Sequence, residues 1–284
     1  MRFRWGLLTV PPLALLAVLL GLSLFIFLKS SLHEDEGIGQ LGDAVTLTNY
    51  LQLWQDPSYL ESLSLTLRLS AEAVLATLVM SWPVAYLLSR SKPRIATLVL
   101  AAIVASSFVT LPVKALGLTI LFAADGPVMQ ILRSLHVVGA DFRFLGSRFA
   151  VGVGYAHFAL TFMIMMLFSV LQAIPVRLEE AAQIHGASRL RVLWRVVIPL
   201  SLPGTLSASL VLFNLLTGAF VSAVLLGGGK VLTLPVLIQR TLVLYSEYGM
   251  AAALAAVLLG LVVLVNVLAV LAAVRLDRTI EVVA

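Results

Sequence analysis

Six apolar stretches recur from one end of the chain to the other, each longer than the roughly 20 residues that an α-helix needs to cross the hydrocarbon core of a bilayer. They are Gly6–Leu28, Leu63–Leu88, Ile95–Phe122, Phe149–Ile174, Leu200–Leu226 and Tyr248–Val274. Within lipid every backbone N–H and C=O has to be satisfied inside the protein, so stretches of this length read as helices. Only 12% of the residues are charged and 61% are apolar, which excludes a soluble globular chain. The first stretch follows Arg2 and Arg4, as a secretory signal would, but no small-x-small cleavage site comes after it, so it is expected to stay as an anchor. The predicted fold class is an all-α polytopic membrane protein with six transmembrane helices. Pro112 and Lys114 interrupt the third stretch and predict a kink or an exit from the bilayer near its end.

Six spans put both termini on one side, and the two sets of loops then differ in charge. One set holds Arg2, Arg4, Arg90, Lys92, Arg94, Arg177, Arg189, Arg191, Arg195, Arg275 and Arg278. The other holds Glu34, Asp35, Glu36, Asp43, Asp56, Glu61, Asp125, Asp141 and Glu247, with fewer bases. By the positive-inside rule both termini are cytoplasmic. The net charge of +5 is then a topology signal, and nucleic acid is not an expected partner. The chain has no cysteine, which excludes disulfides and thiolate metal sites. His157 and His185 have no further ligand at metal-binding spacing, so no metal site is expected, and no catalytic constellation is readable.

The stretch Pro175 to Pro199 is the one long loop on the basic side. Pro175 starts a helix that Glu179-Glu180-Ala181-Ala182 propagates, with acids where the helix dipole favours them. Gly186 is a natural C-cap, and a second helix from Ser188 is expected to end at Pro199. Two short helices bent at a glycine suit a groove on a partner protein; Ala181 and Ala182 permit close approach and Glu180 offers a charge. A loop lying on anionic lipid through Arg189, Arg191 and Arg195 satisfies the same pattern.

The order Glu180-Ala181-Ala182, three residues, Gly186, nine residues, Val196-Val197-Ile198-Pro199 resembles the EAA loop of binding-protein-dependent ABC importers. Its usual form is EAA-x3-G-x9-I-x-L-P. Further segments are similar to spermidine/putrescine-type permeases: Thr46 to Tyr50, Trp82 to Arg90, and Gly218-Ala219-Phe220-Val221 leading to Leu226-Gly227-Gly228-Gly229-Lys230. That class commonly has an arginine followed by an aromatic in its third span, where this chain reads Pro112-Val113-Lys114-Ala115. The resemblance implies the type I ABC importer permease fold in a bacterial inner membrane. It also implies that the chain is a transport subunit rather than an enzyme, with Glu180, Ala181, Ala182, Gly186 and Pro199 coupling to a separate ATPase that binds ATP and Mg. Its other implied partners are a second permease subunit, identical or similar, and an extracytoplasmic solute-binding protein. A polyamine-like organic cation is the implied solute, with a phosphonate, another small charged metabolite or ferric ion as rivals.

The expected organisation is a first helix and extracytoplasmic loop over 1–62, a core of five helices over 63–275 containing the loop 175–199, and a tail over 276–284. Gly227-Gly228-Gly229-Lys230 is not a phosphate loop, because Val224 and Val231 stand where Gly and Ser or Thr belong. Ionisable or polar residues within spans are the candidates for a solute pathway: Lys114, Asn214, Thr217 with Phe220 beside it, and Glu72, which lies four residues from Arg68. Asn214 and Thr217 are equally suited to joining helices. A gradient-driven carrier is the alternative class; it predicts inverted repeats and deep ionisable residues.

Overall fold

The computed structural model describes residues 6–37, 39–139 and 141–281. Arg2, Arg4, the last three residues of the tail and the side chains of Arg275 and Arg278 lie outside what is described. In chain order the elements are α1 (Gly6–Ser30), a hairpin of β1 (His33–Gly37) and β2 (Gln40–Val45), α2 (Thr48–Gln55), α3 (Pro57–Ser89), α4 (Pro93–Ser107) and α5 (Leu111–Leu121). There follow α6 (Pro127–Ser134), α7 (Arg148–Gln172), α8 (Val176–Ile184), α9 (Arg189–Val192), a π turn (Leu193–Val197), α10 (Ile198–Thr217) and α11 (Val221–Gly227). The chain closes with α12 (Leu234–Arg240), a second π turn (Thr241–Tyr245) and α13 (Tyr248–Glu281).

Among the described residues five helices are long and apolar enough to cross a membrane, α1, α3, α7, the continuous run Arg189–Thr217, and α13, and a bent pair makes six when it is counted as one span. That pair is α4 and α5, bent by 92°. Around that bend the Ser106 and Ser107 hydroxyls donate back to the Ile103 and Val104 carbonyls at 2.7 and 2.6 Å. Such back-bonding bends helices. Pro112 then opens α5, where its missing N–H costs nothing. The fifth span differs from its predicted bounds of Leu200–Leu226. It starts in the preceding loop and ends at Thr217, and Leu226 belongs to the separate α11. The apolar run hid the break at Gly218-Ala219-Phe220. Irregular backbone among spans needs a hydrogen-bonding partner from the protein, and the buried Tyr155 hydroxyl donates to the Ala219 carbonyl at 2.6 Å.

The described residues form two compact units. One comprises the chain up to Leu63 together with Leu234–Leu261. In it the β1–β2 pair is antiparallel and irregular, joining His33 to Val45 and Asp35 to Leu41. Asn49 fastens the hairpin's start by donating to the Ser31 and His33 carbonyls at 3.1 and 2.8 Å. The Asp35 carboxylate accepts from the Gly249 and Met250 amides at 2.9 and 3.0 Å, which caps the first turn of α13. Gly249 is required there, since a Cβ would collide with the His33 carbonyl. Leu53, Leu234, Met250 and Leu254 form the core beneath.

The other unit comprises Ser64–Thr233 and the chain from Val262. Its centre is α7, which buries Val151, Tyr155, Ala159, Met163, Leu167 and Leu171. Helix α10 packs along it with Ala208, Leu212 and Leu216 buried. Small residues make the approach close, as is usual between helices in lipid. Any Cβ on Gly204 would strike Val170, and one on Gly154 would strike Leu226.

Candidate functional site

The loop after α7 is built as a helix, a glycine and a second helix. Pro175 is extended and caps α8, whose first turn carries Glu179. Gly186 follows at φ +84°, a left-handed conformation that favours glycine, and nothing stands within 4 Å of where a Cβ would be. On the far side the structure departs from the expected stop at Pro199. That proline sits in the first turn of α10 and the helix runs through it. The π turn Leu193–Val197 immediately before it accounts for this, because π geometry shifts the hydrogen-bond ladder just where the proline has no N–H to offer.

Adjacent glutamates of α8 have opposite environments. Glu180 is exposed, as are Ala181 and Gly186, and Ala182 is half-buried. Around them Ile184 is 84% exposed and Leu190 66%, so the motif residues lie on an open surface with apolar side chains beside them. Glu179, one residue earlier, is buried against the end of α3. Arg90 meets its Oε1 through Nη2 at 2.6 Å and through Nε at 2.7 Å, with side-chain exposures of 15% and 8% for the pair. The Tyr86 hydroxyl donates to the other oxygen, Oε2, at 2.9 Å. Arg90 also lies over the Tyr86 ring, 5.7 Å from its centre, and Tyr86 stacks on Trp82.

The same guanidinium reaches the end of α7. Its Nη1 donates to the Leu171 carbonyl at 3.1 Å and its Nη2 to the Ile174 carbonyl at 3.3 Å. These carbonyls belong to the negative end of a helix, where an arginine satisfies both the orphan acceptors and the dipole. One side chain therefore ties together the ends of α3 and α7 and the start of α8. Glu179, Arg90 and Tyr86 were not singled out from the sequence. Their signals were there: Arg90 and Tyr86 lie in the segment resembling spermidine/putrescine-type permeases, and Glu179 is the first-turn acid of the loop helix.

The pathway candidates are dispersed. Asn214 exchanges amide hydrogen bonds with Asn266 of α13, both at 3.0 Å, and Asn266 also donates to the Val262 carbonyl at 2.7 Å. The lone asparagine in the last apolar stretch was the available sign of that pairing. Thr217 is buried and donates to the Phe213 carbonyl at 2.7 Å, while Phe220 is partly exposed at the break after α10. Lys114 is half-buried on α5, which packs against α11. Glu72 is exposed on α3 and, like Arg68, makes no ion pair among the described residues. Lys230 lines a cavity of about 370 Å³ with Arg143, Phe122, Phe142 and Phe144. Among the described residues no group of three or more His, Cys, Asp or Glu is placed to hold a metal ion.

Comparison with known proteins places this geometry in a wider group. The spermidine/putrescine transport system permease protein PotB of Haemophilus influenzae is 28% identical over 224 residues, covering 79% of this chain and 77% of that protein. PotB of Escherichia coli K12 is 31% identical over 215 residues, covering 74% and 78%. Among solved structures, a bacterial alginate ABC transporter in complex with its alginate-bound periplasmic protein has a chain that superposes with a TM-score of 0.75 at 18% identity, covering 97% of this chain and 95% of that one. Residues 81–282 match the family described as binding-protein-dependent transport system inner membrane component. The chain belongs to that family: it is a multi-pass inner-membrane permease subunit of a binding-protein-dependent ABC importer.

Proposed function

We propose that this permease is driven through the loop 175–199, which docks by Glu180, Ala181, Ala182 and Gly186 into a separate ATPase subunit on the cytoplasmic side. The observation that carries the reading is the division of labour within α8: Glu179 holds the helix to α3 while Glu180 and its small neighbours stay open to a partner. Exposed Ile184 and Leu190 add apolar surface that a protein groove would cover. ATP and Mg would be bound by that partner. A second permease subunit would complete the pore, and an extracytoplasmic binding protein would deliver solute. Both termini would be cytoplasmic, a reading that the basic residues at the ends of the spans support. The PotB relatives support a polyamine-like cation as solute.

Co-purification of the tagged chain with the products of neighbouring genes tests the reading, with ATP hydrolysis measured as spermidine- and putrescine-loaded binding proteins are added. The expected result is a stable complex whose ligand-stimulated hydrolysis collapses in Glu180→Ala and Gly186→Pro. A chain that transports alone, with no ATPase partner and indifferent to both changes, would replace this reading with a gradient-driven carrier.

A further inference from the structure

From the contacts of Arg90 we infer that it is a positioning residue which makes α8 move as one piece with the ends of α3 and α7, and that the direct chain connection from α8 to α10 is a compliant joint. The inference rests on the coupling role proposed above and adds the route by which motion of the loop enters the membrane.

The two sides of α8 are built differently. On its N-terminal side, one guanidinium at the end of α3 makes four polar contacts to two further elements, α8 and the end of α7: two to Glu179, one to the Leu171 carbonyl and one to the Ile174 carbonyl. Tyr86 closes the remaining oxygen of Glu179. Burying an ion pair costs desolvation, and apolar side chains of similar volume hold helices together at least as well. What the pair supplies instead is a fixed geometry, since the planar fork of arginine reaches all these acceptors in only one arrangement. Lysine has neither the donors nor the shape to do so.

On its C-terminal side, α8 reaches α10 through Gly186, which has open space around it, then the four residues of α9 and the π turn Leu193–Val197. Pro199 removes one further backbone hydrogen bond from this connection. Glycine, a π turn and proline are each places where a helix bends at low cost. A displacement of α8 is therefore passed directly to α3 and α7, whereas the connection to α10 yields.

The chain has no cysteine, so spin labels can be placed at will. In the assembled complex with a cysteine-free ATPase partner, and diluted with unlabelled chain, two exposed pairs report on the two routes: Leu178 of α8 with Leu87 of α3, and Leu178 with Leu206 of α10. On trapping with ATP and vanadate, the α8–α10 distance should shift while the α8–α3 distance stays within its resting distribution. In Glu179→Gln and Arg90→Lys the α8–α3 distance should become broad and nucleotide-dependent. If wild type shows the α8–α3 distance changing as much as the α8–α10 distance, the inference is overturned and the coupling role stands. The inference is equally overturned if the α8–α3 distance remains fixed in both substituted chains. If nucleotide moves neither pair, the coupling role fails and this inference fails with it. The wild-type measurement keeps the test decisive even where a substituted chain assembles poorly.

Discussion

Replacing Asn214 by leucine separates two roles that an amide in a transmembrane helix can have. In the structure both of its side-chain hydrogen bonds go to Asn266. Side-chain hydrogen bonds between transmembrane helices contribute about 0.6 kcal/mol each on average and up to about 1.7. Two of them predict a coupling of about 1.2 kcal/mol, with a ceiling near ~3.4 kcal/mol. The single changes are not equivalent. Asn214→Leu leaves the Asn266 oxygen without its partner, but the Asn266 nitrogen keeps the Val262 carbonyl. Asn266→Leu leaves both ends of the Asn214 amide without the hydrogen bonds seen here, so it should be the more destabilising. The double leucine variant has no orphaned amide and should be less destabilised than the sum of the singles by the coupling energy. Reversible unfolding of the purified chain in mixed micelles, run as a full double-mutant cycle, measures this. Additive single effects would refute the helix-joining account. So would transport that is lost equally in Asn214→Leu and in the double variant while stability recovers, because the amide would then be serving the solute.

Three further outcomes follow from contacts described above. Gly204→Ala should destabilise by about 1–3 kcal/mol through overpacking against Val170, and Val170→Ala should recover part of that loss in the same unfolding assay. Gly249→Ala should cost more than Gly204→Ala, because the obstacle is the His33 backbone carbonyl and cannot rotate away; Asp35→Ala should cost about 1 kcal/mol by removing the cap of α13. Asp56 accepts from the Ser58 amide at 2.8 Å, and this bond, aided by the Ser58 hydroxyl, holds its carboxyl below the ordinary value. A depressed folded value means stability that is present above the unfolded pKa and lost as pH falls through the folded one. Asp56→Ala should therefore lose a small contribution at neutral pH, match the parent chain once both carboxyl states are protonated, and lose less stability on acidification, as thermal melts from neutral to acidic pH would show.

The spans were legible because hydropathy over about 20 residues is a strong signal that tertiary context seldom overrides. What escaped was decided by contacts across the chain. The hairpin over 33–45 begins His33-Glu34-Asp35-Glu36, which has no β-propensity; it is held by Asn49 and by what Asp35 does for α13. The break after Thr217 is flanked by Leu and Val on both sides, so composition runs through it, and only the Tyr155 hydroxyl marks where the backbone leaves the helix. Pro199 was read by the rule that proline ends a helix, whereas a π turn upstream accommodates it. Glu179 and Glu180 are the same residue one position apart, about 100° around a helix. Nothing local tells which of them is buried; that depends on Arg90, 89 residues earlier.

The Asp35 cap joins residues 214 positions apart. At a synthesis rate of about 5–20 residues per second, the carboxylate waits on the order of 10 to 40 s after leaving the ribosome before the amides it serves exist. Throughout that interval the first helix and the hairpin that follows it are without the element that completes them. A nascent chain halted before the last span would display an open hairpin and an unspent acid, a difference by which an unfinished permease is distinguishable from a finished one.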